Sequence, residues 1–152
     1  MDNRTKVLFL HPNFPGQFRH IATALGKAKE CDVRFLCLTD YGNKVSGIYR
    51  DIIKGERGQK ALEREARNEE SKTDFRAESY RRAFRAYKKR DWNPDIVIGH
   101  TGWGCGIYVK EVWPNTNFIG YVEWWFKTDS EIAKEAHSNR FLGYNHMVQT
   151  KL

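Results

Sequence analysis

A short apolar run that ends in a loop of prolines and a glycine constrains this chain most. Residues 6–10 (KVLFL) are typical of a parallel strand buried on both faces, and residues 11–16 (HPNFPG) end the run. Apolar side chains then recur at helical spacing over 17–29, and residues 32–39 are again rich in β-forming types. A strand, a helix and a strand in this order predict a βαβ unit, and therefore a parallel sheet.

The same alternation continues along the chain. Residues 59–90 contain no Gly or Pro and carry an apolar stripe at helical spacing, interrupted by the polar pair Glu69 and Glu70, so we expect one long helix that is bent or broken there. The remaining predicted elements are strands at 45–49, 95–99 and 117–122 and a short helix at 107–112.

These elements predict an α/β fold with a doubly wound, Rossmann-like parallel sheet in a single domain. We place that domain at residues 1–127 and expect residues 128–152 to form a helical extension, the start of a linker or tail. The length of 152 residues fits one domain of ordinary size.

Composition excludes several classes of protein. No apolar run approaches the roughly 20 residues that a bilayer helix needs, and no signal stretch precedes the first strand. The three cysteines are an odd number without paired metal-ligand spacing, so we expect a cytoplasmic protein that binds no metal.

Three loops fall at the carboxyl ends of predicted strands, which is where doubly wound sheets bind ligands. In the first, Gly16 lets a ligand approach the backbone, and the start of the following helix favours a phosphate or carboxylate. The alternative is that Pro15 and Gly16 only form the turn between strand and helix.

The second loop, residues 100–106, begins with a histidine. His100 could hydrogen-bond a sugar hydroxyl or transfer a proton near neutral pH, and the alternative is a structural histidine tied to a neighbouring loop. A nucleophilic Cys105 near the following helix start is a minor alternative.

The third loop, residues 123–128, brings Glu123 beside Trp124, Trp125 and Phe126. Aromatic faces next to a carboxylate suit a carbohydrate or another polyol. The alternative is a tryptophan pair that packs against the edge of the sheet.

The positive charge is concentrated in residues 56–90, which carry 12 Lys or Arg and 7 acidic residues. The cluster at its end could face the phosphates of nucleic acid or an anionic membrane. We favour a solvated helix face because acids are interspersed with the bases, and no nucleic-acid-binding signature accompanies them. We therefore expect no nucleic-acid partner, and peripheral membrane contact through the basic helix stays open.

Three segments together resemble the amino-terminal domain of family 4 glycosyltransferases: VLFLHPNFPGQFR at 7–19, PDIVIGHTGWG at 94–104 and IGYVEWWF at 119–126. The resemblance implies the first of two Rossmann-like domains of a GT-B enzyme. Such an enzyme transfers sugar from a nucleotide sugar with retention of configuration and needs no metal or other cofactor. In that fold the amino-terminal domain mainly holds the sugar acceptor, whereas the carboxyl-terminal domain holds the nucleotide.

The resemblance places Gly16 in the glycine loop that approaches the donor phosphate and the acceptor. Glu123 falls where many relatives have a histidine, and His100 lies in the preceding loop, so these two are the candidate catalytic residues. The candidate substrate-binding residues are Asn13, Phe14, Gly16, Gln17, Gly102, Trp103, Trp124 and Trp125.

We expect a domain that binds the sugar acceptor and forms one wall of a transfer cleft. Because the second domain is missing from the sequence, we expect no activity from the chain alone. The chain could be a truncated domain, it could act with a separate donor-binding polypeptide, or a homo-oligomer could cover the cleft edge. The alternative is a non-catalytic binding or interaction module. The identity of donor and acceptor stays open.

Overall fold

A computed structural model describes residues 3–39, 42–54, 69–123 and 131. Five strands form one parallel sheet in the order β3-β2-β1-β4-β5. Their bounds are β1 Thr5–Leu10, β2 Cys31–Cys37, β3 Ile48–Ile52, β4 Ile96–His100 and β5 Asn117–Tyr121. This topology confirms the predicted doubly wound, Rossmann-like α/β fold.

The helices connect the strands as the sequence predicts. A 3-10 turn at Gly16–Phe18 leads into α1, Arg19–Lys27, and a second 3-10 turn at Thr101–Trp103 follows β4. The long helix α2 is described over Glu69–Lys89, and α3 is a single turn at Val109–Val112. The residues before Glu69, where the sequence predicts a bend or break, lie outside the described residues. Nearly all of the predicted extension at 128–152 also lies outside them.

β3 and α3 start later than the sequence predicts, and a glycine lies in the turn before each of them. β3 begins at Ile48 because Gly47 takes a positive φ of 80° and packs on Gly26; a Cβ atom at residue 47 would lie 1.7 Å from the Gly26 carbonyl oxygen. Helix α3 begins two residues later than predicted, because Gly104, with φ of 75°, ends the 3-10 turn and a further turn with a hydrogen bond from Ile107 to Gly104 comes before the helix.

The sheet is covered on both faces, and β1 shows why its sequence is apolar throughout. Val7 and Phe9 pack with Ala22 of α1 on one face. Leu8 and Leu10 pack on the other face against the aromatic stripe of α2, which consists of Tyr80, Phe84 and Tyr87. Alternate side chains of one strand therefore enter two separate cores, as a doubly wound sheet requires.

The chain leaves β1 toward β2, whereas β4 lies on the other side of β1. Leu10 pairs with Gly99, so the residues that follow, His11 and His100, reach the same edge of the sheet side by side. This point, where the strand order reverses, is the ligand-binding crevice of open α/β sheets. Within the described ranges no helix is long and apolar enough to cross a membrane.

Candidate functional site

Two buried histidines meet at the carboxyl edge of the sheet, one at the end of β4 and one directly after β1. His11 and His100 are 4% and 2% exposed, and their rings lie edge to face, with centroids 5.4 Å apart and planes at 80°. A polar ring pair is costly to bury in a sheet protein without a ligand or hydrogen bonds to satisfy it. The pair therefore marks the centre of the candidate site.

Each imidazole is anchored through its Nδ1 atom by the residue two positions later. The backbone N–H of Gly102 donates to Nδ1 of His100 at 3.0 Å, so the neutral ring carries its proton on Nε2. Nδ1 of His11 lies 2.9 Å from the amide nitrogen of Asn13 and 2.8 Å from its carbonyl oxygen. Both rings are thus fixed by tight local turns, and their Nε2 atoms remain for other partners.

The carboxylate of Glu123 faces the second histidine. Its Oε2 atom lies 3.4 Å from Nε2 of His100, and the Glu123 side chain is 48% exposed. Within the described part of the chain, Nε2 of either histidine has no hydrogen bond, and both atoms are buried. Glu123 is therefore the member of this cluster that a dissolved ligand can reach directly.

Burial keeps both histidines neutral at pH 7. Desolvation lowers the pKa of His11, against weaker opposing effects of Asn13, Gln17 and Glu123. Desolvation also lowers the pKa of His100, the neighbouring His11 lowers it further, and the carboxylate of Glu123 acts in the opposite direction. Neutral imidazoles can donate or accept hydrogen bonds but bring no charge to the site.

Aromatic rings surround the histidine pair. Phe18 packs edge-on to His11 at 6.0 Å between centroids, and Tyr121 packs on His100 at 5.6 Å. Trp103 lies 6.1 Å from His100 on another side. Because Tyr121 is 41% exposed, its ring is available to stack on a sugar.

Most of the predicted site residues converge here. His100 and Glu123 lie together, and Asn13 and Gly102 provide the backbone groups that anchor the two histidines. Gly16 packs on the His11 ring with φ of 53°, and Gln17 is exposed beside it. Trp103 borders His100, whereas Trp124 and Trp125 lie outside the described residues.

Phe14 does not line the edge. It is 3% exposed, and its ring packs edge-on against Phe35 of β2 with centroids 4.9 Å apart. The peptide bond to Pro15 is cis. The loop turns the ring of Phe14 into the core beneath α1, away from the edge where the sequence places it, and its role in substrate binding stays a prediction.

Cys105 does not have the environment of a nucleophile. Its side chain is fully buried beside Tyr80, and desolvation raises the pKa of the thiol to about 12. A thiol in such surroundings is un-ionised at neutral pH and inert. The minor alternative of a nucleophilic Cys105 is thus wrong.

His11 is the site residue that sequence reasoning missed. The available signal was its position directly after a buried strand, which is the position that made His100 a candidate. Its pairing with His100 depends on β1 and β4 being neighbours, which follows from the Rossmann-like strand order and not from any local pattern in the sequence.

Part of the basic segment is engaged by a neighbouring helix. Arg81 and Arg85 both contact Oε1 of Glu111 on α3, at 2.8 Å and 3.0 Å. Lys88 donates to the carbonyl oxygen of Val112 at 2.8 Å. These groups join α2 to α3, so they are less free to bind phosphates than a fully solvated face would be. Across the described ranges, no three His, Cys, Asp or Glu side chains are grouped to hold a metal ion.

Comparison with known proteins gives one finding. The sequence profile of the glycosyl transferase family 4 group matches residues 29–139, which is more than two thirds of the chain. The matched segment includes His100 and Glu123 but not His11 and Gly16. No curated protein matches the chain.

Proposed function

This chain belongs to the glycosyl transferase family 4 group, and we propose that it is the acceptor-side domain of a retaining glycosyltransferase. In this proposal the domain is half of a GT-B fold and forms one wall of the cleft. A donor-binding domain supplies the other wall and holds the nucleotide sugar. The chain alone is then inactive.

The contact between His100 and Glu123 at the reversal of strand order carries this proposal. A carboxylate accepts hydrogen bonds from sugar hydroxyls, and the Oε2 atom of Glu123 lies 3.4 Å from Nε2 of His100 at this edge. Tyr121, exposed beside the histidine, offers an aromatic face to the sugar ring. An exposed carboxylate that accepts hydrogen bonds from hydroxyl groups and an aromatic ring that stacks on the sugar are typical of a carbohydrate site.

The edge strand β5 supports the presence of a second body at the cleft. Ile119 and Val122 are large apolar residues that are exposed on or beside this strand. Exposed apolar side chains at an edge strand favour contact with another surface. A separate donor-binding polypeptide or a second copy of the chain would cover them.

The test is a titration of the chain with glucose, followed through the imidazole signals of His11 and His100 in NMR spectra. We expect millimolar binding that shifts the His100 signals and that is lost in Glu123→Ala. Glu30→Ala is the matched control, because Glu30 is an exposed carboxylate next to the opposite end of β2.

Nucleotide sugars provide the second arm. Without a donor domain we expect UDP and GDP sugars to bind with Kd in the millimolar range or weaker, which is about 4 kcal/mol or less. Micromolar binding by the chain alone, measured by calorimetry, would contradict the division of the site between two domains.

The burial of both Nε2 atoms favours a second candidate function, a non-catalytic binding module that uses the same edge. In that case the histidines serve only to shape the surface. Transfer of sugar after a donor domain is added separates the two candidates, since a module would give none.

A further inference from the structure

The histidine cluster, defined as His11, His100 and Glu123, has an unusual balance of charge for a chain with a net charge of +7. The carboxylate is the formal charge that acts on both imidazoles. The guanidinium of Arg76 lies outside the cluster, 5.5 Å from the ring centroid of Trp103. With both rings neutral, the cluster carries one negative charge at the mouth of the site.

His100 cannot easily supply a compensating positive charge. Its Nδ1 already accepts the N–H of Gly102 at 3.0 Å, and protonation there would set two N–H groups against each other. The ring is also buried and lies 5.4 Å from a second imidazole. His100 therefore stays neutral when an anion approaches.

His11 could place a proton on Nδ1, because the Asn13 carbonyl oxygen lies 2.8 Å away and would accept it. This would cost the desolvation of a cation in a buried position. Even then the single positive charge would only balance Glu123. The cluster therefore carries no net positive charge as long as His100 accepts the hydrogen bond from Gly102 and Glu123 stays ionised.

A negatively charged ligand would have to approach the half-exposed Glu123 carboxylate, while an ammonium group would be attracted to it. Two unit charges about 4 Å apart interact appreciably even in water, and more strongly at a partly buried surface. We infer that this site selects sugars or cyclitols that are uncharged or carry an amino group, over phosphorylated or carboxylated ones. The inference rests on the proposed acceptor function and adds the charge class of the acceptor to it.

The experiment compares four probes of similar ring size: glucosamine, glucose, glucose 6-phosphate and glucuronate. Each is titrated into the full chain at pH 7.0, where most of the glucosamine carries an ammonium group, and at constant ionic strength. Kd is taken from the shifts of the His11 and His100 signals. We expect glucosamine to bind about tenfold more tightly than glucuronate, which is about 1.4 kcal/mol. Glucose should lie between them, and glucose 6-phosphate should be as weak as glucuronate.

Two variants assign this preference to the carboxylate. In Glu123→Gln, which keeps the shape of the side chain, the ratio of the two Kd values should fall to about twofold or less. In Glu30→Gln, which makes the same change in net charge away from the site, the tenfold ratio should remain. Thermal unfolding of both variants checks that they are folded.

The outcomes separate the inference from the function on which it rests. If glucuronate or glucose 6-phosphate binds more tightly than glucosamine at these signals, the charge preference is overturned while acceptor binding stands. If the preference is unchanged in Glu123→Gln, the assignment to this carboxylate is overturned. If no probe moves the signals, the proposed acceptor site and the inference fall together.

Discussion

The imidazole of His11 fills the space that a side chain at Gly16 would need. A Cβ atom at residue 16 would lie 2.6 Å from both Cε1 and Nδ1 of the His11 ring, and the backbone there is left-handed, with φ of 53°. The loop after β1 therefore holds its histidine against glycine backbone. This contact connects the predicted glycine loop to the histidine that sequence reasoning missed.

Gly16→Ala should destabilise the protein by roughly 2–4 kcal/mol, the sum of left-handed backbone strain and forced displacement of a buried ring. Chemical denaturation measures the change. His11→Ala provides the control background, because without the ring only the backbone strain remains and the same substitution should cost less. Equal costs in the two backgrounds would contradict the contact.

Stability should depend on pH through the two buried histidines. Burial lowers the pKa of each in the folded state, so the unfolded chain binds more protons between the folded pKa and the unfolded value of about 6.5. The contribution of the two histidines to the free energy of unfolding should therefore be largest above about pH 7 and fall as the pH drops through 6.5. Denaturation at pH 8, 7, 6 and 5.5 tests this, before most carboxylates are protonated.

A variant with His11→Gln and His100→Gln should be less stable at pH 8, and its stability should change less between pH 8 and 5.5. His20→Gln, which removes one imidazole from an exposed position on α1, is the matched control. If the double variant loses as much stability on acidification as the natural chain does, the two histidines are not the cause.

The three thiols should differ sharply in reactivity. Cys31 is partly exposed, whereas Cys37 and Cys105 are buried. At pH 8 a thiol whose pKa is about 12 is ionised in about one molecule in ten thousand, so Cys105 should react with a thiol reagent only after unfolding. We expect about one thiol per molecule to react rapidly in the native protein and three to react in denaturant. Cys31→Ser should remove the fast phase, and a fast phase from Cys105 would contradict its burial.

The sequence predicts the strands well because a parallel strand buried on both faces needs an unbroken apolar run, and residues 6–10 and 95–99 have one. It also predicts that the loops with His100 and Glu123 lie at the same edge of the sheet, and in the structure the two side chains are 3.4 Å apart there. Strand order is a different kind of information. Only the adjacency of β1 and β4 brings His11 to His100, and no local pattern encodes it.

Local composition also cannot predict where loop side chains point. Phe14 has the sequence context of an exposed loop residue, yet its ring enters the core against Phe35. The contact between Gly26 and Gly47, which delays β3, joins the last turn of helix α1 to the turn before β3, 21 residues later, and depends on the packing of α1 on the sheet. The same holds for Glu111, whose partners lie 30 and 26 residues earlier in the chain.

Reversing the charges that join α2 to α3 should destabilise the protein. Arg81 and Arg85 share the carboxylate of Glu111, which lowers the pKa of that carboxyl group, so Arg81→Glu with Arg85→Glu would bring three carboxylates together. We expect a lower Tm and a larger loss at low salt than at high salt, because salt screens exposed charges. Arg82→Glu is the control, since Arg82 contacts Ser79 instead. An equal effect of Arg82→Glu would contradict the role of Glu111.

The same contacts bear on whether the basic helix binds polyanions. Two arginines of the segment share an ion pair with Glu111, and a lysine donates to a backbone carbonyl. Tyr80, Phe84 and Tyr87 pack into the core and cannot stack on bases. We expect weak binding of DNA and of anionic vesicles at every salt concentration, as measured by fluorescence anisotropy and by co-sedimentation. If the helix did contact phosphates, affinity would fall steeply with salt, by a slope near the number of contacts. Tight, salt-sensitive binding that Arg82→Glu abolishes without loss of folding would identify the side of α2 that carries Arg82 as a polyanion-binding surface.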